Sequence, residues 1–320
     1  MNRRTFIRNT LTASAASLLA TEGIPPAESA PPPAKPVKPS AALPTGKIGN
    51  LQVSRMLLGG NLLTHFTHSR DLQYVYNLCA HYNTDEKIME TLALAEQHGI
   101  NTLSMHNPPH PMSVLQKYRK QGGGIQWIIC PTAEVTPDMK AYTEMVKQLV
   151  DIGCDAIYLW GVHADPLAAQ GKIDLIAKAV EVAKDAGVPS GVGAHDLLVI
   201  TECEKHKVPA DFYIKTFHHH NYPSGPKPEQ LRGAYAEHPG YWCRDPQQTI
   251  EVMQNVTKPW IAFKVMAAGA IPPADAFKYV FSNGADHALV GMFDFEIAPD
   301  AALMKTTLAN LGQRNRPWRS

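Results

Sequence analysis

The side chains with the greatest chemical reach in this 320-residue sequence are its 14 histidines. His106, His163, His195 and His218 each follow a short apolar run, and Glu134, Lys264 and Asp294 hold comparable places. Imidazole nitrogens joined by a carboxylate are the donors that hold Zn²⁺, Mn²⁺ or Fe²⁺. One expectation is therefore a divalent metal bound by His106, Glu134, His163, His195 and His218. Glu134 or Asp294 would then be an oxygen ligand or a general base. The sequence contains no HExxH motif, so no compact signature supports the metal. The other expectation is a metal-free site in which His163 and His195 act as acid and base and Lys264 polarises an oxygen. A lysine paired with a carboxylate for stability is the plainer account of Lys264. In the triplet His218-His219-His220, alternation along a strand turns neighbouring rings to opposite sides.

Two long connecting stretches, 61–83 and 218–244, are rich in Tyr, Trp and His. Connections of that length are usually functional or disordered, and interleaved residues such as Pro223, Pro226, Pro228 and Pro239 favour an ordered lid. Aromatic faces with polar rims suit sugars, which nominates Asn61, Tyr82, His110, Tyr222, Trp242 and Asp294 as substrate contacts. Aromatic side chains that merely pack the loops onto the rim are the competing account.

These residues need a scaffold, and from residue 45 onward apolar runs alternate with amphipathic stretches. That is the pattern of β-α units around a parallel sheet. Strands are expected over 56–59, 102–105, 126–130, 156–160, 190–193, 212–216, 260–264 and 288–291. Thr84 is placed to cap a helix that stops at Gly99, and similar helices stop at Gly187 and Gly284. Eight units in about 275 residues match a single (β/α)8 TIM barrel, in which the strand C-termini carry the chemistry. A doubly wound open sheet is the alternative, but no GxGxxG turn follows the first strand.

The sequence has 30 basic and 29 acidic residues, which weakens any nucleic-acid reading. Residues 1–45 hold five basic and two acidic side chains, so the remainder is slightly acidic. Asn2-Arg3-Arg4-Thr5-Phe6-Ile7-Arg8, followed by an Ala- and Ser-rich run to Ala20, looks like a twin-arginine export signal. That run is too short and polar for a stable membrane span. Eight prolines between Pro25 and Pro44 mark a linker. The expected organisation is a signal over 1–30, a Pro-rich linker over 31–45 and one barrel over 46–320. The five cysteines are odd in number and lack CxxC spacing, which indicates neither a disulfide framework nor a structural zinc site.

The segment 44–60, PTGKIGNLQVSRMLLGG, resembles the N-terminal β-hairpin and first strand of the aldo-keto reductases. GINTLS at 99–104, DAIYLWGVH at 155–163 and IAFKVMAAG at 261–269 are similar to their second, fourth and seventh strands. The resemblance implies a barrel of aldo-keto reductase type and, as cofactor, NADP. It also implies a catalytic Asp, Tyr, Lys and His. His163 matches the His. Ser104 stands at the Asp position, Pro109 or His110 at the Tyr position, and Cys130-Pro131-Thr132 where Lys belongs. Without the Tyr and Lys, hydride transfer loses its usual proton donor.

Three functions therefore compete. The leading one is an exported enzyme, periplasmic or extracytoplasmic, that acts on a sugar-like or carbonyl small molecule by isomerase, lyase or hydrolase chemistry. Its partners would be that substrate and, during export, the twin-arginine translocase. The second is an NADP-dependent oxidoreductase with His110 or Tyr82 as a rearranged acid, and the third is a non-catalytic ligand-binding barrel.

Overall fold

The structure is a computed structural model that describes residues 42–320. The expected export signal and nearly all of the expected linker lie outside the described residues. No helix of the described residues is long and apolar enough to cross a membrane.

The chain begins with a hairpin of β1 (Thr45–Ile48) and β2 (Leu51–Ser54), paired antiparallel around a turn in which Gly49 takes a left-handed φ of 58°. Eight parallel strands follow: β3 (Met56–Gly59), β4 (Thr102–His106), β5 (Gln126–Cys130), β6 (Ala156–Leu159), β7 (Ser190–Ala194), β8 (Phe212–Thr216), β9 (Trp260–Phe263) and β10 (His287–Gly291). They close into a barrel because β10 pairs with β3 as well as with β9. The eight expected strands are all present, three with the expected ends and five with one end shifted by one residue. Trp160 and Lys264 fall just beyond their strands, whereas His106 is the last residue of β4.

Helices cover the barrel because their apolar residues recur at the helical period. In Asp85–Gln97 the buried residues are Ile88, Thr91, Leu92 and Ala95, one stripe of the helix. Thr84 caps this helix by accepting the Lys87 N–H, and Gly99 ends it at a φ of 87°. The barrel interior is a separate cluster that contains Leu57, Ile128, Ala156, Phe212, Ile214, Ile261 and Leu289. Its filling is uneven. A Cβ on Gly191 would lie 2.5 Å from the Phe212 ring, so β7 contributes glycine where β8 contributes a phenyl ring.

Ile48 and Val53 of the hairpin belong to that same interior cluster. The hairpin therefore closes the end of the barrel where the strands begin, and Asn101 and Gln126, which precede or open β4 and β5, both donate to Gln52 O. The C-terminal segment seals the same end. Arg316 is fully buried and its Nη1 donates to Asp286 Oδ2 at 2.6 Å, while its other nitrogens reach the carbonyls of Val256 and Lys258. Asp286 also accepts the Trp260 and Arg319 N–H groups.

Removing one member of a buried pair leaves the other charge without compensation, at a cost of about 3–5 kcal/mol. Arg316→Met should lower stability by that amount in a urea titration and leave the opposite end of the barrel intact. A loss under about 1 kcal/mol would show that the clasp adds nothing to the barrel.

Candidate active site

The strand C-termini surround a cavity of about 220 Å³. Barrel residues supply its floor and sides: Cys130, Tyr158, Gly193 and Ile214 from the strands, and Asn61, Trp160, His195 and Lys264 from the residues that follow them. The two long loops complete it. Phe66 and His68 come from one, Tyr235 and Glu237 from the other.

His195 is fixed by Asp165, on the helix Gly161–Ala169 that follows β6. Its Nδ1–H donates to Asp165 Oδ2 at 2.8 Å, and Asp165 Oδ1 accepts the backbone N–H groups of His195 and Asp196, each at 3.0 Å. The carboxylate thereby holds the imidazole in the tautomer that carries its proton on Nδ1, which leaves Nε2 a lone pair. Nε2 has no hydrogen-bond partner among the described residues. Burial, with the nearby Lys264 charge, depresses the His195 pKa against the upward pull of Asp165, so the ring is a neutral base near pH 7. The ring approaches this closely because residue 161 is glycine, where a Cβ would lie 3.2 Å from His195 Nδ1.

A second imidazole-carboxylate pair faces the cavity from the loops. His68 Nδ1 lies 2.5 Å from Glu237 Oε1. Burial works to raise the Glu237 pKa, but the His68 hydrogen bond and nearby positive charge bring it below the usual value. Its Oε2 is buried and unpartnered.

Lys264 lies between these pairs electrostatically, with both Glu237 and Asp165 acting on its charge. Its Nζ lies 5.2 Å from the Trp242 ring, 5.7 Å from Tyr235 and 5.6 Å from Phe263. It has no ion-pair or hydrogen-bond partner among the described residues. Burial brings its pKa down to about 7, and the two carboxylates only partly oppose that shift. The plainer sequence account of Lys264, a stabilising ion pair, is therefore not what the structure contains.

The rest of the expected set is dispersed. His106 lines the cavity, its ring stacked on Trp160 at 5.8 Å with an interplanar angle of 2°. His163 does not line the cavity. It lies in the first turn of the helix after β6, edge-on to Trp160, with Nδ1 buried and unpartnered. Glu134 is exposed on the loop after β5. His218 is fully buried, and both ring nitrogens are engaged: Nδ1 donates to His219 O and Nε2 accepts the Trp242 N–H. The five-residue metal set is corrected on this ground, because its side chains do not meet. No group of three or more His, Cys, Asp or Glu side chains placed to hold a metal occurs among the described residues.

Of the expected substrate contacts, Asn61 alone lines this cavity. Asn61 and Trp242 line a neighbouring cavity of about 260 Å³ that also shares His68, Phe263 and Lys264. Tyr82 donates to Asp294 at 2.6 Å, Lys87 pairs with that same carboxylate, His110 pairs with Asp85 on the surface, and Tyr222 donates to Gly240 O. None of the four remaining expected contacts, Tyr82, His110, Tyr222 and Asp294, lines either cavity. All five cysteines are free and buried, and burial pushes the Cys130 thiol in the first cavity up to about 12, which leaves it unreactive.

Sequence reading had missed Asp165 and Glu237. Asp165 stands two residues after His163 and was within sight as a carboxylate near a strand end. Glu237 had no local signal, because its place depends on how the loop of 218–244 folds back.

No protein-family model matches the sequence, and no curated protein does. Solved structures give the comparison. A Pseudomonas aeruginosa protein assigned to the aldo-keto reductases superposes with a TM-score of 0.55 at 17% identity, covering 84% of this chain and 96% of that one. A second structure of such a protein from that bacterium gives 0.54 at 15%, covering 82% and 95%. A Gox0644 variant solved in complex with NADPH gives 0.51 at 12%, covering 83% and 94%. At these identities the likeness establishes the barrel fold.

Several buried histidines have depressed pKa values, chiefly from burial, and His218 and His287 fall to about 3 and about 4. The unfolded chain takes up their protons as pH drops below 6.5, while the folded chain does not. Each contributes stability that is present above pH 6.5 and is lost toward its folded value, at about 1.4 kcal/mol per pH unit. Urea midpoints should therefore fall steeply between pH 6.5 and 4; a flat profile would show these rings protonate in the folded state.

Proposed function

We propose that this chain is an exported enzyme that transfers protons next to the carbonyl of a small hydroxylated molecule. The observation that carries the reading is the convergence of two imidazole-carboxylate pairs, Asp165–His195 and Glu237–His68, on one cavity beside Lys264. A base must be held in one tautomer with a free lone pair, and Asp165 does this for His195. His68, tied to an ionised carboxylate, is a second imidazole on the cavity that can accept a proton and pass it on. The His106 ring nitrogens, which have no hydrogen-bond partner among the described residues, can hold a substrate hydroxyl. Trp160, Phe66 and Tyr235 supply apolar faces for a carbon skeleton. His163, outside the cavity, has no role in this reading.

A second reading, NADP-dependent reduction, draws on the neighbouring 260 Å³ cavity and on the NADPH-bound barrel of the same fold. The helix Asp294–Ala309 at that cavity argues for a different ligand. Its first turn carries Asp294 and Glu296, and Glu296 accepts the Phe293 N–H at 2.8 Å. Carboxylates at a helix N-terminus occupy the place that would otherwise favour a phosphate. These residues do not fit a nucleotide phosphate at this helix.

The direct measurement is exchange of α-carbon hydrogen for deuterium in a panel of α-hydroxy aldehydes and ketones, followed by NMR. The mature protein should catalyse exchange without added NADPH, and His195→Ala should slow it at least 100-fold, the usual scale of general base catalysis. Equal exchange by His195→Ala would overturn the base assignment, and an absolute requirement for NADPH would favour the second reading. Export is proposed from Arg3 and Arg4; changing both to Lys should retain the full-length precursor in the cytoplasm, and unchanged secretion would overturn it.

A further inference from the structure

We infer that Lys264 is a nucleophile that forms an imine with the carbonyl carbon of the substrate. The inference rests on the proton-transfer reading and deepens it by naming a covalent partner and a substrate class, small aldehydes and ketones.

Three observations support it. Lys264 lines the cavity that His195 and His68 line, so an amine and two candidate proton carriers face the same space. Its ammonium has no hydrogen-bond or ion-pair partner among the described residues and meets aromatic rings instead, three of them within 5.7 Å. A lysine that served only the fold would be expected to have a carboxylate in contact, as Lys258 has in Glu204 and Lys184 has in Asp211. Lastly, an amine with pKa about 7 has a neutral fraction on the order of 1,000-fold larger at neutral pH than an ordinary lysine.

The step balances without any redox partner. The neutral amine attacks the carbonyl carbon and an N–C bond forms. One amine proton passes to the lone pair of a neutral imidazole, and the carbonyl oxygen takes up a proton to give the carbinolamine. The C–O bond then breaks and the oxygen leaves as water with the two hydrogens that the amine has lost. Protonation of the imine nitrogen from solvent gives an iminium, which acidifies the α-carbon hydrogen for removal by His195. Water reverses the sequence and frees Lys264. The titratable groups that face Lys264 are Asp165 and His195 from the elements after β6 and β7, and His68, Tyr235 and Glu237 from the two loops.

Glycolaldehyde, two carbons long, is the probe, with sodium borohydride to reduce any imine to a stable secondary amine. Each adduct adds the mass of the probe less one oxygen, and peptide mapping locates it. Lys264 should be labelled at pH 7 at least 10-fold faster than any other lysine, with labelling that rises with pH through about 7. Lys264→Met should lose that adduct and keep the slow labelling of surface lysines. Labelling of Lys264 no faster than that of surface lysines in the wild-type protein would overturn the inference whatever the variant does. Deuterium exchange at the glycolaldehyde α-carbon is followed in parallel. Exchange that survives in Lys264→Met to within 10-fold, with no preferential adduct, would leave the proton-transfer reading standing and remove the imine. A preferential adduct without exchange in the wild-type protein would do the reverse.

Discussion

The pairing of β10 with β3 is the constraint on which the rest depends. Four residues of each strand are in register, from Ala288 beside Met56 to Gly291 beside Gly59. An open sheet would spread its strand ends along a line; closure bends them into a ring that surrounds one cavity. Asn61, which follows the first barrel strand, and Lys264, which follows the seventh, line the same space for this reason. The ring is secured at the opposite end, where the hairpin plugs the interior and Arg316 and Asp286 form a buried pair. Stability and chemistry are thus assigned to different faces of one barrel.

The mouth combines contributions from strand ends and from long loops in a definite way. Each imidazole is oriented by a carboxylate from another segment, Asp165 for His195 and Glu237 for His68. One pair joins His195, which directly follows β7, to Asp165 on the helix after β6. The other is built wholly from long loops, so the loops must be folded before the second acid-base group exists. Small residues make the first pair possible: a Cβ at position 161 would crowd His195, and one at 193 would lie 3.0 Å from the Gly161 nitrogen. Glycine here is a packing requirement that follows from the close approach of β6 and β7.

Charge in the cavity is governed by desolvation. Burial keeps His195 and His68 neutral and also lowers Lys264, while hydrogen bonding keeps Glu237 ionised. While it is protonated, Lys264 disfavours protonation of either imidazole. The result is a set of neutral bases beside fixed carboxylates, an arrangement suited to moving protons at neutral pH. Aromatic rings rather than polar side chains lie nearest the amine.

The strands and helices were legible in the sequence because their signals are local. Apolar runs, a capping Thr84 and stops at Gly99 and Gly284 fix the elements to within one residue at most strand ends. His106, His195 and Lys264 could be placed at the barrel mouth by the same reasoning, since the end of a strand is also the end of a local pattern. The aldo-keto reductase resemblance pointed to the fold that the structural neighbours share and drew attention to His163, which lies outside the cavity. What the sequence by itself determined is therefore the order of the elements and which side chains stand at their ends. Only the tertiary structure decided that Asp165 meets His195, that Glu237 meets His68, that both nitrogens of His218 are consumed by backbone groups, and that Lys264 is left without a partner. Those outcomes depend on contacts between segments 24 to 169 residues apart, and a hydrogen bond of 2.5–3.0 Å is set by the placement of both segments, which no local pattern encodes.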